Sequence, residues 1–184
     1  EGLRDLPLNP VLTAMRHGQP DMVPVSPDIS NMIPCRLTGL PFWKMYYGGE
    51  YPLWRAHADA IRYFGFDGWQ IHGYLNYEYQ AQPPFREEVV SRSEGRFVVR
   101  MICSTPAGAL WKETTYFDDN PPAVSRNWIK NLKEDMPILR HVVPKITGYD
   151  PAPLKEQMNY CGNTAAVTAC VSVPGLHELT DCWF

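Results

Sequence analysis

Pro52-Leu53-Trp54-Arg55-Ala56-His57-Ala58-Asp59-Ala60-Ile61-Arg62-Tyr63-Phe64-Gly65-Phe66-Asp67-Gly68-Trp69-Gln70-Ile71-His72-Gly73 reads as a helix, a stop and a strand in immediate succession. Leu53, Ala56, Ala60, Ile61 and Phe64 recur at helical spacing and predict one apolar face over about 52–64. Gly65 supplies the stop, and 67–73 reads as a buried strand. A helix feeding directly into a buried strand is the unit from which parallel α/β sheets are made.

Upstream, Asn9 suits an N-cap, Pro10 a first helical position and Gly18 a helix stop. A short strand is expected over 22–25. Residues 34–51 read as a loop rich in aromatic side chains, among them Phe42, Trp43, Tyr46 and Tyr47. Downstream the period changes: Phe97, Val99 and Met101 alternate with Val98, Arg100 and Ile102, a strand signature, and alternation resumes over 110–117. Glu94-Gly95 turns the chain before the first of these strands, and Thr105-Pro106-Ala107-Gly108 breaks it after. We therefore expect a small antiparallel insertion at about 87–117. A short strand is expected near 125–129, a helix over about 132–142, a helix from Asp150 to Gly162, and a last strand over 165–173.

Composition narrows the function classes. Seventeen Lys and Arg against 20 Asp and Glu give a net charge of -3, without a basic cluster of the kind that binds nucleic acid or an anionic membrane. No apolar run approaches the roughly 20 residues of a membrane-spanning helix, and the N-terminus lacks the pattern of a secretory signal. The five cysteines, Cys35, Cys103, Cys161, Cys170 and Cys182, show no Cys-x-x-Cys spacing, so reduced thiols and a cytoplasmic location are expected. The chain begins with Glu1 rather than Met, and an incomplete reading frame is expected from that.

Four segments together resemble the uroporphyrinogen decarboxylase superfamily, which also contains cobalamin-dependent methyltransferases. Ala14–Val25 is similar to the family's opening helix and its Pro-Asp-Arg-Val-Pro-Val lead into strand one, with Met22 in place of Arg. Arg62–Gly68 is similar to a Phe-Gly-x-Asp lead into strand two, and Ile129–Leu139 to an Ile-Lys-x-x-Glu-Asp-Leu helix start. Ser104–Leu110 resembles the Thr-Pro-x-Gly-x-Leu insertion of the methyltransferase-like branch.

This resemblance implies the N-terminal part of a (β/α)8 TIM barrel carrying the small antiparallel insertion, with residues 1–184 forming a partial barrel domain whose C-terminal half is absent. About three parallel strands are expected where a closed barrel needs eight, so the fragment alone is expected to be inactive. The implied activity is methyl transfer among a small methylated compound, a corrinoid and a thiol. A decarboxylase of uroporphyrinogen or a related poly-acid is the alternative, and a non-catalytic half-barrel that binds a partner is a third reading. Decarboxylases of the family carry an Arg-rich run after strand one and an Asp at the end of strand two; here those places read Asn31–Arg36 and Tyr74. The resemblance places zinc ligands and a corrinoid in the longer protein rather than in these residues. A small-molecule substrate and a corrinoid protein are the partners it implies.

Barrel active sites sit at the C-terminal ends of the strands. That rule selects Ser26 and Asp28, then Gln70, His72, Tyr74 and Asn76, and finally His177 and Glu178. His72 and Tyr74 are the expected catalytic pair, because a histidine with a pKa near about 6.5 serves as acid, base or ligand. Asp28, Arg36, Gln70 and Asn76 are the expected substrate contacts, Arg36 through a carboxylate. Each has a structural alternative: a core histidine at 72, a packed loop at Tyr74 and Asn76, a surface arginine at 36, and a turn cap at 28. Cys161, Cys170, His177 and Cys182 match no zinc spacing, and no metal ligand is assigned within the chain.

Overall fold

A computed structural model of the chain describes residues 9–73, 75–80, 83–142 and 146–169. The chain divides into two compact units. The first takes the described residues of 9–40, 48–76 and 150–169; the second takes those of 41–47 and 77–149.

In the first unit, helix α1 (Pro10–Met15) starts as its sequence predicts: the Asn9 side chain accepts from the Val11 N–H at 2.8 Å and Pro10 occupies the first turn. It stops a turn short of Gly18, and His17 follows with a φ of 60°. The stretch 22–25 forms no strand. Its recorded ties to the next segment are two bonds with Asp67: the Asp67 N–H donates to Val25 O at 2.9 Å, and the Val25 N–H donates to Asp67 Oδ2 at 3.1 Å. Helix α2 (Met32–Thr38) then occupies residues that read as loop.

Helix α4 (Leu53–Phe64) matches its expected span, and Gly65 caps it in the left-handed region at φ 69°. Strand β1 (Gly68–Gly73) pairs in parallel with strand β8 (Ala165–Ala169), Gly68 opposite Ala165 and Gln70 opposite Val167. Helix α6 (Ala152–Cys161) precedes β8. Ala58 and Ile61 of α4, Cys161 of α6 and Ala165 of β8 form the buried core of this unit. A Cβ on Gly68 would stand 2.7 Å from Ile61 Cγ2, so only glycine lets α4 lie this close to β1.

In the second unit, strands β3 (Phe85–Ser93), β4 (Arg96–Thr105), β5 (Gly108–Phe117) and β6 (Ala123–Arg126) form one antiparallel sheet in that order. Thr105 faces Gly108 across a two-residue Pro106-Ala107 turn, so the Thr-Pro-Ala-Gly segment is the tip of a β-hairpin. Period two selects Phe97, Val99 and Cys103 for the buried face. Part of that face is covered by α3 (Phe42–Tyr46) and the residue after it: Trp43 and Tyr47 pack edge-on against Phe97 at 5.6 and 5.5 Å. Elsewhere Cys103 and Leu110 cluster with Trp128, Ile129 and Leu139, the last from α5 (Leu132–Leu139). Strands β2 (Asn76–Tyr79) and β7 (Ile146–Asp150) make a separate two-stranded sheet that the sequence reading lacked.

The expected barrel is therefore corrected. Among the described residues the fold is mixed α/β, and its largest sheet is antiparallel. Strands β1 and β8 pair in parallel, where Gly68, Ala165 and Ala166 allow close packing. Residues 22–25 leave three large apolar side chains exposed, with Val23 83% exposed, instead of joining a ladder. In β4 the alternating Phe97 and Val99 are buried while Arg96, Val98 and Arg100 are not, which is the pattern of an antiparallel strand with one covered face rather than of a doubly buried parallel strand. No helix among the described residues is long and apolar enough to cross a membrane.

Candidate functional site

The first unit contains a pocket built by three local structures. Residues Ser26–Ile29 form its rim as the chain turns into α2. Asp28 Oδ1 accepts from the Ser30 N–H at 2.8 Å, and Ser30 Oγ accepts from the Met32 N–H at 3.1 Å. These two side chains satisfy backbone donors where the helix begins. Ser30 itself has a φ of 48°.

His57 and Ile61, one turn apart on α4, form a wall. His57 is 9% exposed, and its Nε2 lies 2.8 Å from Asn31 Oδ1. A carbonyl oxygen only accepts, so this contact places a proton on Nε2 and fixes the ring orientation. Phe66 and Trp69, flanking the start of β1, complete the lining. Ser26 Oγ is buried there without a hydrogen-bond partner among the described residues. The pocket thus combines two aromatic rings and two isoleucines with one carboxylate, one oriented imidazole and one unsatisfied hydroxyl. It can hold an apolar group against the rings and offer hydrogen bonds to a polar atom beside it.

Of the residues expected from sequence, Ser26 and Asp28 line the pocket. Asp28 also serves the capping role that was its structural alternative. Arg36 lies exposed in the last turn of α2 and is not part of the lining. Gln70 and His72 belong to β1, but their side chains, like all of Tyr74, lie outside the described residues. His177, Glu178, Cys170 and Cys182 also lie outside them. Asn76 opens β2, exposed, and is not among the lining residues. The aromatic stretch at 42–47 covers the antiparallel sheet.

His57, Asn31, Phe66 and Trp69 were missed. The signal was a histidine between Ala56 and Ala58, one turn before Ile61 on an otherwise apolar face, where a buried polar group needs a partner.

A second polar cluster joins α4 to α6. Asp59 accepts hydrogen bonds from the Tyr51 hydroxyl, from the Tyr160 hydroxyl at 2.6 Å and from Arg62 at 3.1 Å. Burial alone would raise the Asp59 carboxyl; the two tyrosine hydrogen bonds and the Arg62 charge outweigh it and hold it below the usual range. Burial, with the Asp59 bond, keeps the Tyr51 hydroxyl protonated far above the usual tyrosine range. Cys103 and Cys161 are buried thiols, and burial pushes both upward. Among the described residues no three His, Cys, Asp or Glu side chains converge.

No family model, curated protein or solved structure matches this chain.

Proposed function

We propose that the chain belongs to a methyl-transferring enzyme of the uroporphyrinogen decarboxylase type and that the pocket between Ser26–Ile29, His57 and Trp69 receives the small methylated compound. The observation that carries this reading is the charge of the lining: among the described residues Asp28 is its only charged residue, and no Lys or Arg lines it. A tetrapyrrole rich in carboxylates needs several cations around it, whereas a methyl group on a polar atom needs an apolar wall with a few hydrogen-bonding groups. Phe66, Trp69 and Ile61 suit the methyl group. Ser26 Oγ and the oriented His57 suit the atom from which it leaves.

In the proposed reaction a methyl group leaves a nitrogen, oxygen or sulfur atom held in the pocket, and a corrinoid, when bound, would supply the methyl acceptor. The carbon–heteroatom bond would break, and the departing atom would keep the bonding pair and take a proton from water, with His57 in the lining as the group that would pass it on. The test is to titrate the protein with methylamines, methyl thioethers and methanol in turn and to follow binding by tryptophan fluorescence. The reading predicts saturable binding of one of these classes, weakened at least about tenfold in His57→Gln. Absence of binding with every class, or tighter binding of a tetrapyrrole rich in carboxylates, overturns it.

A further inference from the structure

The polar cluster on α4 contains one charge that none of the described residues answers. Arg55 and Arg62 are seven residues apart, two turns of the same helix, so they share a face. Both guanidinium carbons lie 4.5 Å from the centre of the Tyr160 ring, and Arg55 also stands 5.7 Å from the Trp54 ring. Asp59 lies between them in sequence and is committed to Tyr51, Tyr160 and Arg62. Arg62 donates in addition to the Tyr160 carbonyl.

Among the described residues Arg55 makes no hydrogen bond and no ion pair, although it is half-buried and its Nε is fully covered. In this cluster of described residues two guanidinium groups stand with one carboxylate, Asp59. A guanidinium packed on aromatic rings gives up water from its faces, while its five N–H donors point outward in the ring plane. Leaving such a donor covered and unpaired costs stability.

We infer that Arg55, supported by Arg62 and the Tyr160 ring, binds an oxyanion: a carboxylate or a phosphate group that takes the two terminal nitrogens of Arg55 end-on. The planar fork matches two oxygens of one such group, which an ammonium does not. This site uses none of the residues that line the pocket between Ser26 and Trp69, and it stands whether or not methyl transfer is the reaction.

The experiment is thermal unfolding of the whole chain in inorganic phosphate and, separately, in acetate, each against chloride at equal ionic strength. The expected result is a saturable rise in Tm with at least one oxyanion. Arg55→Gln should weaken the apparent affinity about tenfold or more, and Arg55→Lys, which keeps charge but loses the fork, should also weaken it. Arg92→Gln, an exposed arginine on the antiparallel sheet, should behave as wild type. The phosphate and acetate arms identify which oxyanion is preferred. No saturable rise in either, or the same rise in Arg55→Gln or Arg55→Lys as in wild type, overturns the site.

Discussion

His57 Nε2 meets Asn31 Oδ1 at 2.8 Å and so ties α4 to the start of α2 across the pocket floor. The bond explains why a histidine is tolerated at 9% exposure on an apolar helix face. It also means that Asn31→Ala leaves a buried ring nitrogen without its acceptor. We expect a loss of about 1–3 kcal/mol in denaturant unfolding. An unchanged midpoint for Asn31→Ala contradicts the assignment.

Asp59 makes stability depend on pH. Its carboxyl is held below the unfolded value of about 3.9, so its contribution is present above that pH and is lost as pH falls through the lower, folded value. Asp59→Asn should therefore flatten the acid limb of the stability curve while leaving the slope at neutral pH unchanged. Urea titrations across the acid range check this. A variant with the wild-type acid limb contradicts it.

Gly68→Ala places a methyl group against Ile61. Overpacking of this kind costs about 1–3 kcal/mol. Ile61→Val should relieve part of the cost in the double mutant, since the clash involves the branches of Ile61. Strict additivity of the two substitutions argues against direct contact.

Leu110 anchors the core of the antiparallel unit at 2% exposure. Leu110→Ala should cost about 2–5 kcal/mol. The buried Cys103 thiol in the same cluster should react slowly with iodoacetamide in the native protein and rapidly after this substitution. Equal rates would show that the cluster is open to solvent in the parent protein.

Sequence alone foretold the elements that depend on local chemistry. Helix α4 was legible because five apolar residues share a face and Gly65 stops it. The antiparallel hairpins were legible because Phe97, Val99, Met101 and Cys103 alternate, and Glu94-Gly95 supplies a turn. The elements that depend on tertiary contact were not. Residues 22–25 have strand composition, yet they meet Asp67 through two bonds and pair no further. Helices α2 and α3 are short and begin next to proline or asparagine, and their turns are stabilised by what they cover. Strands β2 and β7 lie far apart in sequence, and no local pattern announces their pairing. The same division holds at the site. Ser26 and Asp28 were reachable by position after a strand-like run. His57 required knowing that Asn31 would stand opposite.

Saturation-transfer NMR on the whole chain, with methylamine, methyl thioether and methanol probes at neutral pH, asks whether the Ser26–Trp69 pocket takes the small methyl-bearing compound proposed for it. Saturation of the probe's methyl protons is expected in one of these classes, lost in Trp69→Ala and retained in Trp43→Ala, whose ring packs on the antiparallel sheet. Saturation that is absent for every class, or that persists unchanged in Trp69→Ala, would contradict it.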